Sequence, residues 1–427
     1  MSARLLLEEC HDLPLVSIMV GFRAGATLDP EGKEGLTRLA VRMLRRGAAG
    51  MDMPQLASAV DSIGAEFAEY VSPNAVHLQM ETITRSFDRA VDLLCAILGQ
   101  ATFDPDELSR LVRETEQEIV ETRNHDRALC GRAFRRTLFQ GHPFARRMSG
   151  LPGSLACIGH EDVVRHAGRV FCRDNLVVAF AGDVTEQQAQ GAAERIRAVL
   201  PEGAAAERVS RDAVWPRGRR MVFVDKPERT QTQMLVGCAG THPRDEDHTA
   251  FVVGSTVFGG TFTSRLMTEV RTKRGWSYGA YSSAPIDLCR ESFTVWTHPD
   301  AKDVAPCLAL EIELLESWHA KGVSARELAF AKRYLTRSAA FEVDTASKRA
   351  QRRLVEALYD LPERYYDGFL DRVRAVTVRD VNEAVRQRVT VGSLLIAVTG
   401  THDRVGEGVS RAVMGLEAVE RVPFDLE

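Results

Sequence analysis

The chain reads as an α+β protein of two homologous domains, each a mostly antiparallel sheet covered by helices, the two facing a cleft. Three observations predict this. At 427 residues the chain exceeds one ordinary core and suits about two to three domains. LVSIMVGFRAG at 15–25 resembles QTQMLVGCAG at 231–240, and EDVVRHAGRVFCRDNLVVAFAGDV at 161–184 parallels RDVNEAVRQRVTVGSLLIAVTGTH at 379–402. Val20-Gly21 answers Val236-Gly237 at a shift of 216, and Asp162-Val163 answers Asp380-Val381 at a shift of 218. So constant an offset across separate blocks marks a duplication. Finally, strands and long helices are segregated within each half rather than strictly alternating, as in helices layered on an antiparallel sheet.

The halves share one order: strand, helix, strand, two or three long helices, then a helix and a last strand ending at Gly182 or Gly400. They span 1–200 and 219–427. Between them PEGAAAERVSRDAVWPRG, 201–218, has Pro, Gly, Ala and charges in place of an apolar period and reads as the linker. In the first helix, GLTRLAVRMLRRG at 35–47, Leu36, Leu39, Ala40, Met43 and Leu44 recur at helical spacing and form a core face. Arg38 and Arg42, four apart, lie side by side on that helix. A longer helix over 85–101 carries the stripe Phe87, Val91, Leu94, Cys95 and Leu98, and one over 106–123 is capped by Asp104. Their counterparts are 303–320 and 325 to about 358; the latter contains SKRAQRRL, read as a solvated helix face because acidic residues flank it without aromatic stacking partners.

Composition excludes several classes. The net charge is −4 against 55 basic and 59 acidic residues, spread over the whole chain, which argues against a nucleic-acid or membrane-surface protein. No apolar run approaches the ~20 residues that span a bilayer. MSARLLLEECHDLP has too short an apolar run for a secretory signal, so the expected location is cytoplasmic, or periplasmic if a leader was trimmed. Eight cysteines without a CxxC pair read as buried free thiols. The histidine pairs His160/His166 and His242/His248 lack ligand spacing, and His142, His298 and His319 stand alone in structural or surface roles.

On these residues the chain resembles the pitrilysin/insulinase metallopeptidases, above all their short bacterial two-chain members and the mitochondrial processing peptidase subunits, over nearly its whole length. In that family an inverted motif, HxxEH, sits on the first helix; two histidines bind zinc and the glutamate activates water. GLTRLAVRMLRRG keeps Gly35, Met43, Leu44 and Gly47 but has Arg38 and Arg42 at the histidine positions and Val41 at the glutamate. Guanidiniums stay protonated and offer no lone pair, so no metal is expected in this chain. The family's third ligand, a glutamate on a later helix, is matched by Glu118, 76 residues after Arg42. Stripping one partner from a buried ion pair costs ~3–5 kcal/mol, so Arg42, with Arg38, is expected to replace zinc opposite Glu118. The alternative leaves both arginines reaching solvent.

FGGTFTSRLMTEVRTKRGWSYGAYSS at 258–283 retains the family's second-domain block, with a Gly259-Gly260 turn and Arg271 seven residues before Tyr278. Thr261 to Ser264 can cap the following helix and Gly275 ends it. The resemblance implies that Arg271 and Tyr278 clamp substrate, the guanidinium on a peptide carbonyl or carboxylate and the phenol at a developing oxyanion. Singly, each has an ordinary reading: an arginine paired with Glu269 and a half-buried tyrosine. The first-half edge strand, IGAEFAEYVSPNAV at 63–76, lacks the family's Asn-Ala pair and has Ala68 and Glu69 there. The resemblance thus implies the non-zinc subunit of a heterodimeric peptidase, its partner a homologous HxxEH chain holding the zinc, its substrate a peptide or unfolded polypeptide bound as an added strand. The competing expectations are a catalytically silent scaffold subunit and an active homodimer with an unconventional metal site.

Overall fold

In a computed structural model the described residues are 4–426. Two compact units result. One gathers Met1–Ile119, Arg146–Ser210 and Ala340–Glu363; the other gathers Val120–Ala145, Arg211–Ala339 and Arg364–Glu427.

The first unit holds strands β1 (Arg4–Glu9), β2 (Leu15–Phe22), β5 (Glu66–Val71), β6 (Val76–Ile83) and β7 (Leu176–Gly182), besides a small ribbon of β3 (Gly47–Ala48) and β4 (Met51–Asp52). Its five-stranded sheet runs β1-β7-β2-β6-β5, with only β1 and β7 parallel. The second unit holds β8 (Arg219–Asp225), β9 (Gln233–Ala239), β10 (Ala280–Ser283), β11 (Ser292–Thr297), β12 (Leu395–Gly400) and β13 (Leu416–Pro423), ordered β10-β11-β9-β12-β8-β13. Read from β8 to β10, this repeats the first sheet strand for strand, parallel pair included, and β13 adds one more parallel strand outside β8. The repeated sequence blocks fall on β2 and β9 and on β7 and β12, which pair antiparallel within each unit.

On one face of the first sheet lie α1 (Leu36–Met43), α2 (Met53–Ser62) and α3 (Phe87–Gly99), followed by α4 (Pro105–Thr122). Asp104 caps α4, its Oδ1 accepting from the backbone N–H groups of Asp106 and Glu107 at 2.8 and 3.1 Å. The stripe on α3 is buried, except that Cys95 is only half-buried.

Each sheet's other face is covered by a helix from the opposite half of the sequence. In the first unit the helix Ala346–Leu358 lies on β7, β1 and β2, burying Ala350 and Leu354. In the second, α5 (Asp126–Leu138) lies on β12, β9 and β8, with Phe134 and Leu138 in the core. The two helices occupy equivalent places in the repeat, starting at residues 126 and 346, so the duplication exchanged them reciprocally. The compact units therefore do not follow the division into 1–200 and 219–427, and the 201–218 segment itself divides between them after Ser210.

The exchange corrects two expectations about the segment from 325 to about 358, and a separate one concerns the cysteines. The helix predicted from 325 to about 358 is broken: Ala325–Ser338 belongs to the second unit, a 3₁₀ turn at Ala339–Glu342 follows, and Thr345 caps the new helix through Lys348 N–H at 3.2 Å. SKRAQRRL is accordingly not all solvated; Ala350 and Leu354 face the sheet while Arg349 and Arg353 bond Glu8 of β1. The cysteines are free, but Cys157, following the short surface helix Pro152–Ala156, is exposed, and Cys10 and Cys95 are half-buried. None of the described helices is long and apolar enough to cross a membrane.

Candidate functional site

The first site is built on α1. Gly35, at φ +100, precedes it and has no side chain to cap it; a Cβ there would meet the Gly150 backbone at 3.0 Å. Asp29 caps the helix from six residues upstream, accepting from Gly35 N–H (2.9 Å), Thr37 N–H (2.8 Å) and Thr37 Oγ1 (2.5 Å). Thr37 Oγ1 also meets His166 Nε2 at 2.7 Å. Burial pushes the Asp29 carboxyl up to about 6 against the pull of its Thr37 and Gly35 hydrogen bonds, and pushes the His166 imidazole down to about 4. His166 is therefore neutral near pH 7, and its 3.6 Å approach to Asp29 is not an ion pair.

So anchored, α1 buries Leu36, Leu39, Ala40, Val41 and Met43 and turns Arg38 and Arg42 outward toward α4. The structure brings both arginines to Glu118. Arg42 forks onto it, Nη2 to Oε1 at 2.8 Å and Nη1 to Oε2 at 3.2 Å, while Arg38 Nη2 reaches Oε2 at 2.9 Å. Arg42 Nη1 also donates to Thr115 Oγ1 at 3.1 Å. Burial raises the Glu118 carboxyl, but the Arg38 hydrogen bond and the charges of Arg42 and Arg38 overcome it and hold the group below the usual carboxylate range. Val41, at the position of the family's water-activating glutamate, is 1% exposed in the apolar core and supplies no base.

Sequence reasoning missed that this pair extends into a ladder. Arg46, just past α1, bonds Glu114 at Nη1 to Oε1 (3.2 Å) and through a second, shorter contact, and reaches Glu107 at 3.5 Å. The signal was in the spacing: arginines at 38, 42 and 46 and glutamates at 107, 114 and 118 each recur at helical intervals. Beside the ladder, Arg45 bonds Glu69 of edge strand β5 at 3.0 Å and lies over the Phe67 ring, on the rim of a cavity of about 630 Å³.

A zinc ion does not fit these residues. The two guanidiniums offer no lone pair, and the carboxylate that would be the third ligand already accepts three N–H bonds. Among the described residues no group of three or more His, Cys, Asp and Glu is disposed to hold a metal. Two arginines bring two positive charges to Glu118, the formal charge of the ion they face in place of.

The second site lies on the helix after the Gly259-Gly260 turn. A Cβ at Gly259 would strike Ser282 N at 2.6 Å, and one at Gly260 would strike Thr256 Cα at 2.7 Å; the turn is tight against strand β10 and its own preceding helix. Ser264 Oγ accepts from Met267 N–H at 3.4 Å, the chain then widens into a π turn at Met267–Thr272, and Gly275 at φ +66 ends it. Arg271 and Tyr278 come together there: the guanidinium carbon stands 4.5 Å over the Tyr278 ring, which is 76% exposed. Glu269 does not pair with Arg271; it takes Lys273 at 2.5 Å and Arg274 at 2.8 Å.

The loop bearing Tyr278 is held from below. Ser277 Oγ is 2.6 Å from the Gly279 carbonyl and 3.1 Å from His298 Nδ1, and it accepts from His298 N–H at 3.0 Å. Gly279 sits on a floor of aromatic rings, since a Cβ there would meet Tyr281 at 2.9 Å and Trp296 at 3.0 Å. Trp296 stacks with His298 at 4.7 Å, and Arg127 of α5 lies 3.8 Å over it. His298, expected in a structural or surface role, braces this loop.

Both halves of the chain match known proteins. Residues 4–150 match the model described as insulinase (peptidase family M16), and 158–335 match the peptidase M16 inactive domain. A non-peptidase homolog YmxG from Helicobacter pylori is 21% identical over 395 residues, 92% of this chain and 90% of that protein. A solved peptidase M16 inactive domain from Pseudomonas fluorescens superposes with a TM-score of 0.87 at 25% identity, covering 93% of this chain and 96% of that one. A chain of Complex III2 from Candida albicans shares the fold at TM-score 0.78 and 15% identity, covering 96% and 97%. With both halves matched and the inverted motif replaced at each of its chemical positions, the chain belongs to the insulinase family of peptidases, M16, as a member without that family's zinc ligands on its first helix.

Proposed function

We propose that this chain is the non-zinc subunit of a heterodimeric metallopeptidase, supplying Arg271 and Tyr278 to a chamber completed by a homologous HxxEH-bearing, zinc-holding partner. One observation carries the reading: Arg38 and Arg42 of the first site are spent on Glu118, whereas Arg271 has no carboxylate partner among the described residues and sits beside an exposed phenol. A peptide would bind as an added strand, Arg271 gripping a main-chain oxygen and Tyr278 donating its hydroxyl proton toward the oxyanion that forms on attack. The bonds broken and made belong to the partner's metal site; this chain binds and orients. The expected location is cytoplasmic, with no nucleic acid or membrane involved.

The second reading, a silent scaffold subunit, is favoured by the fold shared with a chain of Complex III2. The test is peptide cleavage by each subunit alone and by the mixture. The proposal expects turnover only in the mixture and a loss of ~100-fold for Arg271→Ala, with the partner's zinc content unchanged. Unaltered turnover assigns the chain to the scaffold reading, and stoichiometric zinc with cleavage by the pure chain removes both.

A further inference from the structure

The repeat has one place that is filled in the second unit and open in the first. A shift of 220 carries α5 onto the helix Ala346–Leu358, and two glycines fix the match: a Cβ at Gly21 would meet Leu354, and one at Gly237 would meet Phe134. Ser347 then corresponds to Arg127. On the strands, Gln79 lies opposite Met19 and Trp296 opposite Leu235, 216 residues on, so Gln79 corresponds to Trp296 and, by the next pairing outward, Ala68 to Tyr281. In the second unit these positions form a stack, with Arg127 3.8 Å over Trp296 and Trp296 stacked on Tyr281 at 6.3 Å. In the first unit a serine, a glutamine and an alanine stand there. Between the helix Ala346–Leu358 and strands β6 and β5 a groove of about 780 Å³ remains, a volume typical of small-molecule sites.

We infer that this groove is a receptor for a guanidinium group, taking from a ligand what Arg127 supplies within the second unit. Glu66 and Glu81, both lining it, lie directly opposite across β5 and β6, an arrangement of like charges that destabilises a ladder. Among the described residues no cation pairs with either, or with Asp12, which also lines the groove. The groove's own cations are taken: Lys348 bonds Asp344 at 2.9 Å and Arg349 bonds Glu8. Glu81 Oε1 accepts from Gln79 Nε2 at 2.8 Å and from Ser347 Oγ at 3.4 Å, neutral donors that hold the carboxylate without compensating its charge. Tyr70, 49% exposed, adds an aromatic surface to the lining, its ring stacked on His77 at 4.3 Å. Burial pushes the His77 imidazole down to about 4, so near pH 7 it places no positive charge behind that ring. A guanidinium suits both features, since its fork pairs with carboxylates through parallel N–H bonds and its plane stacks on a ring. A compact, strongly hydrated ammonium has neither the fork nor the plane. The receptor involves neither Arg271 nor Tyr278, and its test is independent of the peptidase reading.

The test titrates the full chain by calorimetry with agmatine and with a doubly capped Ala-Leu-Arg-Leu-Ala peptide. Two control peptides carry citrulline, the uncharged isostere, or lysine in place of the arginine. The expected result is about 10-fold tighter binding of the arginine peptide than of the citrulline peptide, with lysine between them. Glu66→Gln and Glu81→Gln should each erase that difference, and Tyr70→Leu should weaken binding several-fold while Tyr70→Phe keeps it. Ser347→Arg should supply the missing guanidinium from within, abolish binding of both probes and raise the thermal midpoint by about 1–2 °C, which a merely obstructive side chain would not do. Agmatine bound as well as the peptide makes the occupant a small guanidinium compound, and binding of the peptide alone makes it an arginine side chain. Arginine and citrulline peptides bound alike, lysine bound as tightly as arginine, binding retained in both glutamine variants, or no binding of any probe would overturn the receptor. A Ser347→Arg chain no more stable than the parent would overturn the correspondence with Arg127 on which it rests.

Discussion

The two units share the strand order of a five-stranded sheet and the same borrowed covering helix, yet the arginines at their two candidate sites are treated in opposite ways. In the first, Arg38, Arg42 and Arg46 are matched to Glu118, Glu114 and Glu107 in a ladder between α1 and α4. In the second, Arg271 faces two rings, Phe262 and Tyr278, and, among the described residues, no carboxylate. A guanidinium forked onto an acid has its donors filled and holds structure together. One held by π faces keeps its donors for something that arrives. After duplication the same scaffold evidently supports a closed charge arrangement in one copy and an open one in the other.

The comparison would break most severely at the exchanged helices. Leu354, 1% exposed, belongs to the second half of the sequence but packs on the first sheet; a Cβ at Gly21 of β2 would meet its Cδ1 at 2.9 Å. Leu354→Ala should cost ~2–5 kcal/mol, the range for buried leucines that leave a cavity. Hydrogen exchange should then quicken in β2 and β7 and not in β9 and β12, with Leu129→Ala in α5 giving the reverse. The opposite pattern would mean that each half keeps its own helix energetically.

A smaller effect separates the buried acids. Asp29 is surrounded by donors from α1. Glu311 of the second unit is fully buried, accepts from Thr297 Oγ1 at 2.6 Å and from Cys307, and has its Oε2 unpartnered. Burial pushes its carboxyl from an ordinary 4.5 up to about 7, against the Thr297 and Cys307 hydrogen bonds. Because the folded state holds this proton more tightly than the unfolded chain, its contribution is complete below pH 4.5 and is lost as pH rises through about 7. Glu311→Gln should therefore change little at pH 4 and stabilise by about 3 kcal/mol at pH 8, read from urea unfolding at the two pH values. A variant equally or less stable at pH 8 would show that the acid is charged and paired in the fold.

The sheets and first helices were legible because their apolar periods are local: Leu36 to Leu44 and the stripe on α3 need no knowledge of the partner surface. The exchange was not, since 346–358 looks like the continuation of the helix before it, and only the sheet it covers sets it apart. Arg38, Arg42 and Glu118 could be aligned with a known motif. Phe262 and the Ser277 to His298 brace could not, because a lone aromatic and a lone histidine acquire meaning only from what stands opposite.

The ladder itself carries the smallest of these effects. Glu118 is 39% exposed, so solvent screens its pairs and the full worth of a buried bridge does not apply. Glu118→Gln keeps the shape but removes the anion, leaving Arg38 and Arg42 facing each other four residues apart. Lost charge-assisted bonds and this repulsion together should cost about 1–2 kcal/mol, less in 1 M salt. Since Glu118 is held below its ordinary value, the wild-type contribution is present above pH 4.5 and lost as pH falls further, and the variant should lack that acid limb. Adding Arg38→Gln should recover part of the loss, because one guanidinium then no longer faces a like charge. If the double variant is no better than the single one, repulsion is negligible and the arginines reach solvent freely once the acid is gone, which would make the first unit's cations as available as Arg271 and dissolve the contrast between the two units.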